Sequence, residues 1–219
     1  MNWSPVYLSL KIALHATLIA AVLGIPMAWL LSRTSFLGKN LLASLVTLPL
    51  VMPPTVLGYY LLVLLGNQGV MGRWLHQQFN ISLVFTWQGA VLAATLVSFP
   101  LMVKAVQSGM DAVDQDLEDV ARTMGKSEVE VFFRVTLPLA WSGILSGSIL
   151  TFARAMGEFG ATLMIAGSIP GKTQTLSVAI YDAVQGGDYQ QANFLVMVIS
   201  GMTIAVLLFL GQMTQGKRW

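Results

Sequence analysis

The sequence predicts an all-α integral membrane protein, a polytopic helical bundle of about five transmembrane helices formed as a single domain by residues 1–219. Hydrophobic residues make up 55% of the chain. Charged residues make up only 10%, whereas they account for about a quarter of a typical soluble domain. With a mean hydropathy of +0.70, the chain has too few polar side chains to cover a water-soluble fold.

Five apolar stretches are long enough to cross a bilayer, whose hydrocarbon core of about 30 Å requires roughly 20 helical residues. The predicted spans cover residues 12–31, 41–65, 88–106, 139–166 and 194–210. Residues 173–185 are expected to form a short amphipathic helix at the outer surface, with a sixth span as the alternative. Residues 67–86 are expected to be a second polar connection on the same side.

Lysine and arginine residues set the expected orientation, because positive residues concentrate in cytoplasmic loops. If the loop 111–138 is cytoplasmic, the basic residues on that side are Arg33, Lys39, Lys104, Arg122, Lys126, Arg134, Lys217 and Arg218. Those on the other side are Lys11, Arg73 and Lys172. This bias predicts an outward-facing N-terminus and a cytoplasmic C-terminus.

Composition and motifs argue against several kinds of chemistry. The chain has no cysteine and only two histidines, too few for thiolate ligands, a cysteine nucleophile or a histidine-rich metal site. Gly171, Lys172 and Thr173 suggest a phosphate-binding loop, but the motif requires a glycine where the chain has Ala166. No basic patch favours nucleic acid. We therefore expect no enzyme activity, metal or cofactor in this chain.

Residues 111–138 form the one long polar stretch and are expected to lie in water. They contain seven of the ten acidic residues and three of the twelve basic ones, a net charge of 3 − 7 = −4. Asp114 is a predicted N-cap, and Gly125 is the predicted end of a first helix. Ser127 and Glu130 form a capping box for a second helix. The loop is thus predicted to contain two short helices that meet at Gly125.

The spacing in this loop resembles a motif of the permease subunits of bacterial ABC importers. In that family Glu-Ala-Ala is followed after three residues by Gly and, after nine more, by Ile-x-Leu-Pro. The matching residues here are Asp119, Val120, Ala121, Gly125, Val135, Leu137 and Pro138. The family's loop forms a coupling helix that seats in a groove of the ATPase subunit, so the resemblance implies an ATPase-coupling role for these residues.

Three predicted spans contain residues that a plain lipid-facing helix would not carry. Prolines interrupt the second and third, while Arg154 and Glu158 place charges in the fourth at a cost of at least about 2.5–3.5 kcal/mol each. Their i,i+4 spacing allows an ion pair.

Two interpretations of these residues stay open. In one they are packing kinks and a self-satisfied structural ion pair; in the other they line a pathway in which Arg154 supplies positive potential for an anion. The candidate residues for a translocation pathway or gate are Pro53, Pro54, Ser98, Pro100, Arg154, Glu158 and Gly160.

Further stretches resemble the molybdate permeases of the ABC importer family. They are Pro-Leu-Val-x-Pro-Pro-x-Val-x-Gly-Tyr at 49–59, the stretch 152–162, which is also similar to sulfate permeases, and the stretch 169–181. The resemblance implies a type I ABC importer permease fold with a cytoplasmic coupling-helix loop, in the bacterial cytoplasmic (inner) membrane, and import of molybdate.

The same resemblance implies partners. They are a separate ABC ATPase subunit, a periplasmic oxyanion-binding protein and a second copy of the chain in a homodimer, surrounded by membrane lipid. Sulfate, thiosulfate and tungstate are alternative substrates within the family. From another class, an ion-gradient-driven secondary transporter is the alternative, which would carry inverted repeats or a proton relay.

Overall fold

The computed structural model describes residues 3–215, and this part of the chain is helical without a β-strand. Lys217 and Arg218, which contribute to the expected orientation, lie outside the described residues. The first helices are α1 (Ser4–Arg33), α2 (Lys39–Val51), α3 (Pro54–Leu65), α4 (Val70–Phe79) and α5 (Trp87–Asp111). Next come α6 (Gln115–Thr123), α7 (Glu128–Val131), a π-helical turn (Phe132–Thr136) and α8 (Leu137–Leu139). The last are α9 (Trp141–Met156), α10 (Gly160–Ala166), α11 (Leu176–Gln185) and α12 (Tyr189–Gln215).

Helix α5 lies at the centre of the bundle and packs against both α1 and α9. Its buried face is rich in small side chains, among which Ala90, Ala93 and Ala94 are completely buried. In the most apolar stretch of α5, 67% of the residues are buried within the chain, against 11% in the corresponding stretch of α12. Helix α12 therefore presents most of its surface to lipid or to a partner.

Helices α5 and α9 approach each other most closely at two glycines. A Cβ atom on Gly143 would lie 2.7 Å from the Cα atom of Gly109, and one on Gly109 would lie 2.8 Å from the Cα atom of Gly143. Neither position has room for a side chain. Small residues at such crossings allow membrane helices to pack backbone against backbone.

The second predicted span, 41–65, is divided in the structure. Helices α2 and α3 are bent by 110° relative to each other at Met52 and Pro53. Pro53 and Pro54 lack backbone N–H groups, so α2 cannot continue through them, whereas Pro54 fits the first turn of α3.

The fourth predicted span, 139–166, is likewise two helices. Helix α9 ends at Met156, and α10 begins at Gly160. A second bend, of 71°, separates the helical stretch Glu128–Leu139 from α9. Three single helices are long and apolar enough to cross a membrane, and the described residues supply up to five spans if each bent pair is one span.

The third predicted span, 88–106, is one continuous helix in the structure. Pro100 was expected to cause a local break, but α5 continues through it from Trp87 to Asp111. The expected break is therefore wrong, since neighbouring helices hold α5 in a helical path around the proline.

The connections also contain helices. Residues 67–86, which the sequence predicts to be a polar connection, include the ten-residue helix α4. Residues 173–185 contain α11, whose ten residues reach only about 15 Å, too short for a sixth span. Its Leu176 and Ala179 are buried against α12 and neighbouring residues, and the Leu176 N–H donates to Ser9 Oγ at 2.8 Å.

Replacing Gly143 by valine should separate α9 from α5, because the new Cβ atom would meet the Gly109 Cα at 2.7 Å and the Ala105 carbonyl oxygen at 2.8 Å. We expect a loss of about 1–3 kcal/mol in stability. Thermal unfolding of the purified chain in detergent measures it. Gly201→Val is the control, since a Cβ there meets nothing within 4 Å. Equal melting temperatures for the two variants would contradict the crossing described here.

Candidate functional site

The polar loop begins with helix α6, and its ends match the sequence pattern. The Asp114 side chain caps α6 by accepting a hydrogen bond from the Asp116 N–H at 3.0 Å. After Thr123 the chain turns at Gly125, whose φ of +79° is one that glycine adopts without strain. The turn is closed by the Lys126 N–H, which donates to the Ala121 carbonyl at 3.2 Å.

The second half of the loop is a short helix followed by a wider turn. Ser127 and Glu130 form the predicted capping box around α7. Beyond it the chain widens into a π-helical turn, in which the Leu137 N–H donates to the Phe132 carbonyl. Pro138 explains the widening, because it has no N–H to offer the Arg134 carbonyl and its ring would crowd that oxygen.

Helix α6 and Met124, the residue that follows it, leave apolar side chains uncovered. Leu117, Val120 and Met124 are 50%, 57% and 74% exposed. The carboxylate of Asp119 beside them is also largely exposed. An otherwise polar helix thus presents a narrow apolar stripe that no described residue of this chain covers.

Glu118 faces the opposite way and is the most buried charge of the loop. Its side chain is only 2% exposed, and both carboxylate oxygens lie 3.0 Å from Nε of Arg33, itself 7% exposed. Thr136 Oγ1 donates to Glu118 Oε1 at 2.7 Å, and Arg122 Nη2 lies 3.7 Å from Oε2. Glu118 therefore joins α6 to the end of α1 and to the π-helical turn.

Arg33 also links Glu118 to α5. Its Nη2 donates to the carbonyl oxygens of Met110 at 2.8 Å and Val113 at 3.2 Å. These carbonyls lie at the C-terminal end of α5, where a helix leaves acceptors unsatisfied and favours positive charge. Ser32 adds a hydrogen bond to the Asp111 carboxylate. Neither Glu118 nor Arg33 lies at a motif position, so the sequence alone does not single them out as site residues.

A second, exposed set of ion pairs surrounds Arg122. Its Nε lies 2.7 Å from Glu128 Oε1, and its Nη1 bonds to Asp119. The hydrogen bond from Arg122 holds the pKa of Glu128 below its usual value, and Glu128 and Asp119 raise the pKa of Arg122. Such exposed pairs add little stability, but this one ties α6 to α7 across Gly125.

Arg154 and Glu158 form the ion pair that their spacing allows. Arg154 Nη1 lies 2.8 Å from Glu158 Oε2, and Glu158 Oε1 accepts from the Ala161 N–H at 2.9 Å. Glu158 is 2% exposed and Arg154 is 34% exposed. Because α9 ends before Glu158, the carboxylate also caps the start of α10, where negative charge is favourable.

The other candidate pathway residues fall into two groups. Gly160 lies against Pro54 and Thr55, since an added Cβ would approach them to 3.1–3.3 Å, so the two helix breaks meet at α3 and α10. Pro53 is exposed at the same break. Ser98 and Pro100 are instead buried inside the bundle, where Ser98 Oγ donates to the Ala94 carbonyl at 2.6 Å. They lie away from any surface of the single chain.

The sequence matches the family described as binding-protein-dependent transport system inner membrane component, over residues 20–215. The chain belongs to this family. It is a multi-pass protein of the inner membrane and a permease subunit, not itself a catalytic enzyme.

Several relatives of this permease match nearly its whole length. Over 94% of the chain and 91% of the relative, it is 46% identical to the molybdenum transport system permease protein ModB of Escherichia coli (strain K12). It is 39% identical to ModB of Azotobacter vinelandii, over 99% of the chain and 94% of that protein.

Solved structures confirm the predicted fold, that of a type I ABC importer permease. A chain of the MetNI methionine ABC transporter in inward-facing conformations superimposes with a TM-score of 0.75 at 17% identity, covering 99% of the permease and 97% of that chain. A bacterial ABC transporter that imports alginate gives 0.74 at 15% identity, covering 100% and 82%.

Of the motif residues in the second half of the loop, Val135 lies within the π-helical turn, and Leu137 and Pro138 follow it. Val135 and Leu137 are half-buried and Pro138 is exposed. The two halves of the loop are joined by the buried Glu118–Thr136 hydrogen bond and by the exposed Arg122–Glu128 ion pair.

Removing Arg154 should destabilise the permease more than removing Glu158. Arg154→Gln leaves a buried carboxylate without its cation, at a cost of about 3–5 kcal/mol. Glu158→Gln leaves a guanidinium that is 34% exposed, and the amide oxygen still accepts from Ala161. Denaturant unfolding in detergent compares them. The double variant should lose less stability than the two single losses added together; additive losses would contradict the pairing.

Proposed function

We propose that this permease is the membrane-spanning subunit of an ATP-driven ABC importer that moves molybdate across the cytoplasmic membrane. The observation that carries the proposal is 46% identity, over 94% of the chain, to a molybdenum transport permease. The chain itself breaks no covalent bond. Its task is to convert closure of an ATPase into alternating access, by rigid-body movement of its spans.

The ATPase subunit is proposed to bind the apolar stripe of α6. The stripe is apolar surface in the polar loop that no described residue covers, with Val120 57% and Met124 74% exposed. The coupling residues are Asp119, Val120, Ala121, Gly125, Val135, Leu137 and Pro138. Gly125 sets the angle between the loop helices, because its positive φ would strain any other residue. Binding to the ATPase requires the loop to lie in the cytoplasm, so the N-terminus is proposed to lie outside and the C-terminus inside.

A second copy of the chain is proposed to complete the pathway. One bundle of this size is too small to enclose a gated path, and large apolar side chains on α3 are uncovered, among them Tyr59, Tyr60 and Val63. The path would lie between two copies, beside the break where Pro53, Pro54 and Gly160 meet. The partly exposed Arg154 supplies positive potential for the anion, and Glu158 holds its side chain in place.

A periplasmic oxyanion-binding protein is proposed to deliver the substrate to the outer side. A structural neighbour, the alginate transporter, was solved in complex with an alginate pentasaccharide-bound periplasmic protein. The outer connections with α4 and α11 are the surfaces available to such a partner in this orientation.

The test of the function is uptake of labelled molybdate by proteoliposomes that contain the permease and its ATPase, with the binding protein added outside. We expect uptake that requires ATP inside the vesicles and persists when ion gradients are dissipated. Excess tungstate, sulfate and thiosulfate are the competitors. Stronger competition by sulfate than by unlabelled molybdate would reassign the substrate, and uptake driven by an ion gradient without ATP would reject the importer.

A charge introduced into the apolar stripe should weaken binding of the ATPase to the permease. Val120→Asp places a carboxylate at the centre of the proposed contact, and we expect the affinity for the ATPase to fall by at least about thirtyfold. Co-purification of the two subunits measures the loss. Leu37→Asp, on a fully exposed leucine of another loop, is the matched control and should keep the ATPase bound. Retention of the ATPase by Val120→Asp would place the contact elsewhere.

A further inference from the structure

We propose that Glu118 is a positioning residue for transport: its buried carboxylate fastens α6 to the end of α1 and to the start of the fourth span, so that all three move together. The inference rests on the proposed function, since it assumes that an ATPase displaces α6. It assigns the mechanical connection to Glu118 rather than to Asp119, the residue at the motif position.

The burial of Glu118 is the first observation behind this proposal. Six other acidic residues lie in the loop, yet Glu118, at 2%, has a far less exposed side chain than Asp119 at 66%, Glu128 at 58% or Glu130 at 38%. Glu118 occupies the side of α6 opposite the apolar stripe. A partner bound to the stripe therefore pushes on one face of α6 while Glu118 holds the other face.

The second observation is the set of elements that Glu118 reaches. Its oxygens contact Arg33 of α1 at 3.0 Å and Thr136 of the π-helical turn at 2.7 Å. Arg33 in turn donates a hydrogen bond to the Met110 carbonyl oxygen at the C-terminal end of α5. Each contact is directional, since it depends on a donor aimed at one oxygen atom. Movement of α6 therefore passes to the ends of several spans at once.

The third observation concerns the bend at Gly125. Nothing lies within 4 Å of a Cβ atom built there, so no other part of the described chain packs against the bend. The Glu118–Thr136 hydrogen bond crosses this bend and joins the two sides. The other link across the bend, the Arg122–Glu128 pair, is exposed and adds little stability. Without the buried hydrogen bond, most of the displacement of α6 would therefore be absorbed at Gly125 instead of reaching α8 and α9.

The first test measures molybdate taken up per ATP hydrolysed, in proteoliposomes with the assembled complex. Glu118→Gln keeps the side-chain shape and removes the charge that holds Arg33. We expect the ratio to fall at least about tenfold while ATP hydrolysis continues, within the usual range of coupling between sites. Asp116→Asn, which removes an exposed carboxylate from the same helix, is the matched control and should keep the ratio.

Arg33→Gln completes a double-mutant cycle. If Arg33 and Glu118 act as one unit, the double variant should have the same ratio as either single variant. A merely structural role predicts less assembled complex with an unchanged ratio, and that result would overturn the proposal. If the wild-type complex shows no ATP-dependent uptake, the proposed function fails instead.

A second measurement needs no change at Glu118. Because the chain has no cysteine, single cysteines at Ser35, just after α1, and Gln115, at the start of α6, can carry spin labels without background. The distance between the labels should stay the same in the nucleotide-free and ATP-bound complexes. A change of several ångströms between the two states would show that α1 and α6 move separately, and it would overturn the proposal even if Glu118→Gln failed to assemble.

Discussion

The buried ion pair between Glu118 and Arg33 is the interaction on which the arrangement of the polar loop depends. Removing two charges from water costs several kcal/mol for each, and that cost is recovered only with good geometry and further hydrogen bonds. Here Thr136 satisfies the carboxylate and the Met110 carbonyl satisfies the guanidinium. The burial of one carboxylate therefore fixes where three helical elements meet.

The same requirement explains the broken spans. In lipid, a backbone group that loses its helical partner must find another one inside the protein. Glu158 meets this need where α9 ends, because one of its oxygens takes the Ala161 N–H while the other holds Arg154. At the other break, Pro53 and Pro54 carry no N–H to satisfy. Gly160 then lets α10 approach Pro54, so the two breaks lie together within the bundle.

The permease therefore has surfaces of different polarity on different helices. Helix α5 is enclosed by α1 and α9, while α3 and α12 keep apolar side chains at the surface. The loop is polar but exposes apolar side chains, among them the stripe on α6. In the proposed importer, lipid, a second copy of the chain and an ATPase would cover these surfaces.

The sequence by itself determined the class of protein and the local features of the loop. Its composition identified a membrane-spanning helical bundle. The caps at Asp114 and Ser127 and the turn at Gly125 could be predicted because each involves residues within a few positions of one another. The Arg154–Glu158 ion pair could be predicted for the same reason. Only the tertiary structure decided that Glu118 is buried, because its partner Arg33 lies 85 residues away. It also decided that Pro100 stays within a continuous helix, since packing against neighbouring helices outweighs the local preference of proline to break one.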